Sequence, residues 1–454
     1  MKTLIALPLS LLLLSGCSLI PDFQTPTTEM PSAWSESSAT ESSAIARTWW
    51  TGFGSQELDR LMDEALANNN DLLASVQRIE QARALLGVSE SELLPSADAT
   101  ASLGRERTTR PDSTDTNMRI GAGVSYELDL FGLNRANVEQ SEAELEASTY
   151  DHEALRLVVM ADVARTYFSL LNARERLRIA DSNLDNSREV LRIVQARFDA
   201  GASDALEVAQ QKSQLATTEA ARASVQESIK NAENALAVLI GKPPQTVGVE
   251  TKNLAAIDIP VIAAGQPSEL LQRRPDIQSA EAKMRAANAD IGAARAAMFP
   301  NVTLGLDGSL AKAGLGDPTA TALGITSSLL QPIFEGGRLE SVVTQRTALR
   351  EELVQRYRKT ILVSFQEVED ALAAVKASQA RETALQTAMN EARRFYDLSR
   401  SRYDAGTIDF QTLMDAQRQL LASEDAFAQS KNERLSAAVG LFKALGGGWS
   451  QKST

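Results

Sequence analysis

Residues 276–300, DIQSAEAKMRAANADIGAARAAMFP, repeat the pattern of residues 71–95, DLLASVQRIEQARALLGVSESELLP, without a gap and at an offset of 205 residues. The same offset relates RFDAG at residues 197–201 to RYDAG at residues 402–406. Solenoid repeats are only about 20–50 residues long, so this period is too long for one solenoid layer. The chain is therefore predicted to be two structural copies, each made of a helix, two strands and a pair of long helices.

The helix that opens each copy carries an apolar seam at 3-4 spacing, which is typical of a helix packed knobs-into-holes on a neighbour. Each helix is predicted to end before a proline, Pro95 or Pro300, because proline cannot continue the hydrogen-bond ladder. In the second copy the seam consists of Ile277, Ala280, Met284, Ala287, Ile291 and Ala294.

Composition excludes several classes of function. The chain has 454 residues, a formal net charge of -13, one cysteine and one histidine. An acidic chain does not suit nucleic acid, whose phosphates need clustered Lys and Arg. With no Gly-rich phosphate loop, Ser/His/Asp set or Cys/His cluster, no enzyme, catalytic residue, metal site or bound cofactor is expected.

The N-terminus carries an export signal. Leu4 to Leu14 form an apolar run too short to span a bilayer, and the sequence LSGC at residues 14–17 follows. This resembles the bacterial lipobox, which implies a signal peptide over residues 1–16 and a diacylglycerol plus an N-acyl chain on Cys17; the alternative is an ordinary secretory signal with an incidental cysteine. Residues 17–47 are rich in Ser, Thr, Pro and Glu and are predicted to form an extended, lipid-anchored tether.

The first repeat is assigned to residues 48–267, the second to residues 268–447 and a C-terminal tail to residues 448–454. Beyond each proline the apolar period changes to 2, which predicts strands at about residues 96–106, 118–129, 301–311 and 321–331. Polar loops are expected at residues 107–117 and 311–319.

Strands of about ten residues with one apolar face, in an exported lipoprotein, favour a membrane barrel with a polar lumen over a soluble sheet with one wet face. Four strands cannot close a barrel, and an open edge in lipid leaves backbone groups unpaired. Other copies must complete the sheet, and three chains would supply twelve strands, the smallest plausible open pore.

No proline or glycine occurs from Leu133 to Ala200, which predicts a helix of about 100 Å at 1.5 Å per residue. Two adjacent apolar stripes on this helix indicate neighbours on two sides, as in a helical cylinder, although an antiparallel coiled-coil spacer would show the same periodicity. Gly201 and Gly406 are predicted to end the long helices at two hairpin turns, at the end of the molecule farthest from the strands.

These features resemble the trimeric outer-membrane efflux channels of the TolC/OprM/NodT type. The most specific matches are RPDI at residues 274–277, AANADIGAARAAMFPNVTL at residues 286–304, YELDLFG at residues 126–132 and the paired turn motifs. The resemblance implies a mainly α fold with a transmembrane β-barrel: a homotrimer with a twelve-stranded barrel in the outer membrane and a twelve-helix barrel in the periplasm. It also implies a periplasmic adaptor and an inner-membrane RND-type pump as partners.

The resemblance further implies a gate at the helical turns. Asp415 matches the pore-facing aspartate of the family, and three such carboxylates in a trimer would favour cations and protons. Tyr403 matches the gate tyrosine, and Glu207 is its predicted hydrogen-bond partner. Ile408 and Asp409 stand where some members have a gate arginine and a threonine, so Arg402 is the candidate that replaces the arginine.

The adaptor is expected to dock in grooves beside the turns, where a missing side chain permits close approach, with an αL cap as the alternative role of the glycines. The predicted docking residues are Arg197, Gly201 and Val208 in the first repeat, and Arg402, Gly406 and Leu413 in the second.

The expected function is a passive outer-membrane duct for small molecules delivered by a pump. Two alternatives remain open at this stage: an exit duct for type I protein secretion, and a periplasmic coiled-coil lipoprotein without a pore. The sequence does not identify the cargo.

Overall fold

The computed structural model describes residues 18–35, 45–109, 112–246, 248–250, 254–312 and 318–450. The predicted signal peptide and Cys17 lie outside these residues. Within the described residues, no helix combines the length and the apolar character needed to cross a lipid bilayer.

The two repeats have the same order of elements. After a 3-10 turn at Trp49–Phe53, the first repeat contains helices α1 (Gln56–Asn68) and α2 (Asn70–Ser91), strands β1 (Ser96–Thr109) and β2 (Asp112–Leu128), and helices α3 (Leu133–Asp199) and α4 (Ala205–Leu239). The second contains α5 (Leu270–Arg273), α6 (Pro275–Ala296), β3 (Asn301–Lys312), β4 (Ala320–Leu330), α7 (Arg338–Asp404) and α8 (Phe410–Ala444). Helices α3 and α7 each have 67 residues, and α4 and α8 each have 35, so the predicted duplication is present in the fold.

The four strands form one antiparallel sheet in the order β1-β2-β3-β4. Its register places Ala97, Val124, Leu306 and Ile325 side by side on one face. Ile325 is 88% exposed. The predicted alternation of apolar and polar residues is therefore shared by all four strands, which gives the sheet one continuous apolar face.

The opposite face is polar and small. The next row across the same four strands is Asp98, Gly123, Asp307 and Gly324. Asp307 lies over Gly324, where an added Cβ would be 2.9 Å from its Oδ1. A glycine between carboxylates leaves this face open to water.

The first predicted loop, residues 107–117, is mostly strand. β1 continues to Thr109, β2 begins at Asp112, and these two residues are paired. The prediction failed because it used side-chain polarity, whereas the ladder is formed by backbone groups that pair whatever the side chains are. The second loop is also shorter than predicted, since β3 ends at Lys312 and β4 starts at Ala320.

The chain divides into two compact units. The first comprises Met1–Thr28, Val76–Tyr150 and Ile277–Thr360, and it contains the sheet. The second comprises Glu29–Ser75, Asp151–Asp276 and Ile361–Thr454. In the first unit, the predicted seam of α6 is buried at Met284, Ala287 and Ile291.

The core of the second unit is built on α3. Both predicted apolar stripes are buried: Met160, Val163, Tyr167 and Leu170 on one, and Leu157, Ala161, Ala164, Phe168 and Leu171 on the other. Aromatic rings from other elements pack against them; the rings of Trp49 and Phe442 stack with centroids 4.9 Å apart, and Phe53 lies 5.0 Å from Phe168. Neighbours on two sides of α3 are thus part of the fold.

Each long helical pair ends on a glycine that touches the start of its own repeat. Gly241 has φ 69° and Gly446 has φ 87°, both in the left-handed region. A Cβ added to Gly241 would lie 2.2 Å from the Asn68 carbonyl oxygen, and one added to Gly446 would lie 2.2 Å from that of Arg273. Backbone conformation and lack of space therefore both require glycine here.

The residue that follows Asn68 or Arg273 bonds the start of its repeat to the end of the long helical pair. Asn69 donates through Nδ2 to the Leu239 carbonyl at 2.8 Å, and its Oδ1 accepts from the Leu72 N–H at 3.1 Å. In the second repeat, Arg274 takes its place and donates to the Ala444 carbonyl at 3.1 Å. The same backbone position is thus held by a neutral amide in one copy and by a cation in the other.

Arg274 is only 8% exposed and requires countercharges. It donates to Asp276 through Nε at 3.0 Å and Nη2 at 2.7 Å, and to Glu367 through Nη1 at 2.6 Å. Burial opposes its charge, but these two carboxylates hold the pKa of Arg274 above its ordinary value. The RPDI motif therefore forms an ionic node between the start of α6, the middle of α7 and the end of α8.

The tether predicted over residues 17–47 has no regular secondary structure where it is described, yet it is docked rather than free. In the second unit, Trp34 donates through Nε1 to the Gly265 carbonyl at 3.1 Å and packs edge-on against Phe365. The Ser35 N–H donates to Glu369 at 3.0 Å. Composition alone predicts a tether, but in the structure these residues are bound to the rest of the second unit.

We predict that Arg274→Met lowers the free energy of unfolding by about 3 kcal/mol, because it leaves two partly buried carboxylates without their cation. The matched change in the first repeat, Asn69→Ala, should cost only about 1 kcal/mol, since it removes neutral hydrogen bonds. Denaturant unfolding of the detergent-purified protein, followed by circular dichroism, measures both. Equal losses in the two variants would contradict an ionic node.

Candidate functional site

The candidate site lies at the two hairpin turns of the second unit. α3 ends at a turn in which Gly201 has φ 73° and the Ala202 N–H donates to the Arg197 carbonyl at 2.7 Å. α7 ends in the same way at Gly406, with φ 72°. These hydrogen bonds define a Schellman cap, in which one residue adopts a positive φ that favours glycine. The cap accounts for both glycines without an adaptor docked on them.

An aspartate caps the start of the helix that follows each turn. Asp204 accepts from the Glu207 N–H at 3.0 Å at the start of α4, and Asp409 accepts from the Thr412 N–H at 2.8 Å at the start of α8. The Thr412 hydroxyl and N–H hold the pKa of Asp409 below its usual value. Asp409, a departure from the family pattern, is thus a helix cap.

The turns are held together by an apolar cluster, here called the turn cluster. It joins all four long helices around Tyr403, which is 2% exposed. Its buried members are Val190, Val194, Val208, Tyr396, Tyr403, Phe410, Leu413, Met414, Ala416 and Leu420. The polar contacts of the site therefore sit at the margin of a packed core.

The predicted bond between Tyr403 and Glu207 is present. The Tyr403 hydroxyl donates to Glu207 Oε2 at 3.1 Å, and the Ser203 hydroxyl donates to the same oxygen. Burial, reinforced by the Glu207 carboxylate, raises the pKa of Tyr403 to about 12. The hydroxyl thus keeps its proton and remains a donor well above neutral pH; this bond links α7 of the second repeat to α4 of the first.

Arg197 belongs to the same arrangement. Its Nη1 donates to the Tyr403 carbonyl at 3.0 Å, and its guanidinium carbon lies 4.6 Å from the centroid of the Tyr403 ring. One arginine of α3 therefore holds both the backbone and the ring of Tyr403, by a hydrogen bond and a cation–π contact. Its predicted role was adaptor docking; in the structure its side chain faces Tyr403.

Asp415 is half exposed and has partners on its own helix. Its carboxylate accepts from Gln411 Nε2 at 3.1 Å and forms an ion pair with Arg418. The expectation that three Asp415 carboxylates lie close together in a trimer stays a prediction, and each of them would carry the cation of Arg418 three residues away. With side-chain exposures of 54% and 53%, the pair is weak and can be displaced.

Arg402 is exposed, and its carbonyl oxygen accepts from the Thr407 N–H at 2.9 Å. Within the described residues, its guanidinium forms no ion pair. The structure of a single chain therefore does not bring Arg402 to the other gate candidates, and its gating role stays a prediction.

The predicted docking residues fall into two groups. Gly201 and Gly406 are exposed, and a Cβ added to either would meet nothing within 4 Å. Val208 and Leu413 are 8% and 1% exposed because they belong to the turn cluster, so their side chains are not on the surface. Each of these two residues lies three or four positions from other buried residues of its own helix. This spacing indicates a core position, and the prediction based on the family resemblance did not use it.

One group of polar residues was missed altogether. Ser187 of α3 is completely buried; its carbonyl accepts from Gln211 of α4 at 2.9 Å and its hydroxyl from Gln417 of α8 at 2.8 Å. This polar layer lies beside the turn cluster and connects three helices. Each residue looks like an ordinary surface polar residue in the sequence, so only the fold identifies the group.

The fold and the site define a class of protein. The sequence profile described as outer membrane efflux protein matches residues 61–242 and again residues 266–447. The two matched segments are offset by 205 residues at both ends, the offset of the internal repeat. The chain belongs to the outer membrane efflux protein family.

Relatives extend over almost the full length. The pyoverdine export outer membrane protein OpmQ of Pseudomonas aeruginosa is 39% identical over 451 residues, which cover 96% of this chain and 95% of OpmQ. OprJ of the same species is 33% identical over 97% of this chain and 95% of its own length. The solved outer membrane channel CmeC of Campylobacter jejuni is 29% identical, with a TM-score of 0.86 over 96% of each chain.

The open-state MtrE outer membrane channel of Neisseria gonorrhoeae gives a TM-score of 0.83 at 28% identity, over 95% of this chain and 98% of MtrE. The fold-class prediction, a mainly helical chain with a transmembrane β-sheet of the trimeric outer-membrane-channel type, is confirmed by these matches. The chain is an outer-membrane component of an efflux system that extends into the periplasm.

We predict that Tyr403→Phe raises the ion conductance of the purified protein in a planar bilayer. The change removes the hydroxyl that binds Glu207 but keeps the ring in the turn cluster, so it should cost only about 1.5–3 kcal/mol of stability. Tyr396→Phe, the same change in the same cluster, is the control and should leave conductance unaltered. Identical conductance in both variants would mean that the bond to Glu207 does not hold a gate.

Proposed function

We propose that three copies of this chain form the outer-membrane exit duct of a tripartite pump, closed at the helical turns until an adaptor engages. The partners are a periplasmic adaptor and an inner-membrane RND-type transporter. The duct conducts passively and performs no catalysis. The observation that carries the proposal is the four-stranded sheet with one continuous apolar face, in a chain of the outer membrane efflux protein family.

The sheet supports a trimer. β1 and β4 are its edges, and each edge strand leaves a row of backbone groups without partners. In lipid each unpaired group costs several kcal/mol, so other copies must cover both edges. Eight strands enclose a lumen that side chains fill, and the next multiple of four that leaves an aqueous passage is twelve. The polar row containing Asp98 and Asp307 then faces the passage.

The turn cluster supports a gate. Tyr403, Glu207 and Arg197 form a hydrogen-bonded group that joins the two helical hairpins of one chain. If the turns of three chains surround the passage, this set keeps each hairpin straight and the passage narrow. Asp415 adds a weakly paired carboxylate from each chain at the same level.

Cargo is assigned only by class. Relatives carry the names of pyoverdine, toluene, solvent and antibiotic efflux components, and such different compounds fit a duct whose pump selects the substrate. We propose small molecules as cargo, ahead of secreted proteins. Cys17 is proposed to carry the lipid anchor.

We predict a small current that prefers cations in planar bilayers, and a larger current with weaker cation preference for Asp415→Ala. Loss of the carboxylate leaves the Arg418 cation unpaired at the passage. The control is Asp185→Ala, which breaks an exposed pair of the same spacing, Asp185 with Arg188 on α3. Absence of current from the native protein, despite verified insertion, would contradict the proposed duct.

We predict that Gly406→Trp abolishes adaptor pull-down, because an indole would fill the open surface beside the turn. Gly336→Trp is the matched control: Gly336 also has a positive φ, 60°, with nothing within 4 Å of an added Cβ. Both changes therefore impose the same kind of backbone strain. Adaptor retained by the Gly406 variant would exclude docking at this turn.

A further inference from the structure

We propose that α6 carries a receptor groove for the segment that follows Cys17, and that docking in this groove fixes where the anchor enters the membrane, an inference that rests on the lipid anchor proposed above for Cys17. The segment, Leu19–Thr25, is here called the strap. Its receptor consists of Glu281, Asn288, Gly292 and Arg295. The strap and its receptor belong to the same compact unit, the one that contains the sheet.

The groove is defined by a glycine in the helix. A Cβ added to Gly292 would lie 2.4 Å from Ile20 Cγ1, 2.8 Å from Ile20 Cα and 3.1 Å from Ile20 Cβ. Distances below 3.0 Å are not tolerated between carbon atoms, so the backbone of the strap lies in space that only glycine leaves open. Glycine inside a helix costs about 1 kcal/mol relative to alanine, and the strap contact is what it permits here.

Polar contacts fix the register of the strap. Asn288, 2% exposed, donates through Nδ2 to the Pro21 carbonyl at 2.6 Å. Arg295 Nη1 lies at the 3.5 Å limit of a hydrogen bond to the Leu19 carbonyl. The Thr25 hydroxyl donates to Glu281 at 3.2 Å. Contacts at both ends and in the middle make this a complete site for an extended peptide.

The direction of the strap places the anchor. Leu19 contacts Arg295, at the last turn of α6, whereas Thr25 contacts Glu281, near its first turn, so the strap runs antiparallel to the helix. α6 ends at Ala296 and β3 begins at Asn301. Leu19 therefore lies at the end of α6 that adjoins the β-sheet, here called the strand end. Cys17 precedes Leu19 by two residues, which span at most about 7 Å.

The strand end has the side chains of a membrane boundary. Phe131 and Phe299 stack there with ring centroids 4.8 Å apart, and Ile333 and Phe334, just beyond β4, are each 87% exposed. Aromatic residues mark the level at which a barrel leaves the hydrocarbon core. A docked strap therefore holds the acyl chains beside α6 in the leaflet at that level, whereas a free tether would let them enter the same leaflet anywhere within its lateral reach.

The first repeat shows that the groove is a specific feature. Gly87 of α2 corresponds to Gly292, but a Cβ added there would meet nothing within 4 Å. Arg83 stands in place of Asn288 and pairs with Glu80 on its own helix. The duplicated helix thus offers a glycine without the partner residues, and it supplies a matched control.

The test uses a spin label on the full-length protein in detergent. Gln24, an exposed strap residue, is changed to Cys and labelled; the only native cysteine, Cys17, is blocked when it carries lipid. We expect an immobilised label in the native background and in Gly87→Ala. In Gly292→Ala, we expect a mobile component with a rotational correlation time about tenfold shorter, as for a released segment. Asn288→Ala should shift the spectrum in the same direction.

A pair of labels, at Leu19→Cys and at the exposed position Ala297→Cys just beyond α6, measures in reconstituted bilayers where the segment next to the anchor lies on the protein, from the dipolar broadening of the spectra. We expect strong broadening in the Gly87→Ala background and weaker broadening with Gly292→Ala, because a released segment occupies a wider range of distances. The same mobility or the same broadening in both backgrounds would overturn the proposal. Intact mass of the same samples reports whether Cys17 is acylated, and neither outcome depends on conductance, so failure here leaves the proposed duct untouched.

Discussion

A β-sheet in lipid cannot leave its edge backbone groups unpaired, and most of the architecture follows from that constraint. Each chain supplies four strands with an apolar face shared by Val124 and Leu306 across the register. Because a four-stranded sheet has two edges, the chain is incomplete alone, and closure by equal copies is the arrangement that pairs every strand. The duplication serves the same end, since each repeat contributes one hairpin and one pair of long helices.

Duplication also explains where the chain departs from symmetry. Asn69 and Arg274 hold equivalent junctions, but only the second is ionic, with Asp276 as one countercharge. Gly87 and Gly292 occupy equivalent helix positions, but only the second has a bound segment over it. The scaffold is copied, whereas the charged node and the strap contact belong to the second copy.

The length of α3 could be predicted because no proline or glycine interrupts it. The stripes of α3 and the alternation in the sheet could be predicted because periodicity reports which face is apolar. The bond between Tyr403 and Glu207 could be predicted because the repeat and the family pattern together place the two residues. Other features depend on contacts that no period encodes. The pairing of Asp415 with Arg418 is one of many possible i,i+3 pairs, and the strap lies in a polar tract whose composition resembles that of a free linker.

Magnitudes indicate which contact holds the proposed gate. A hydrogen bond from Tyr403 to the charged Glu207 acceptor is worth about 1.5–3 kcal/mol, because both groups lie at the margin of a packed cluster. The exposed pair of Asp415 and Arg418 contributes about 0–1 kcal/mol. Three tyrosine bonds in a trimer would then amount to about 4.5–9 kcal/mol. A shift from 1:99 to 99:1 in a two-state equilibrium takes about 5.5 kcal/mol of differential binding. An adaptor whose preference for the open turns exceeds the summed energy of these bonds would be sufficient to open the proposed duct, and it would need to act only on the helical hairpins that Tyr403 and Arg197 hold.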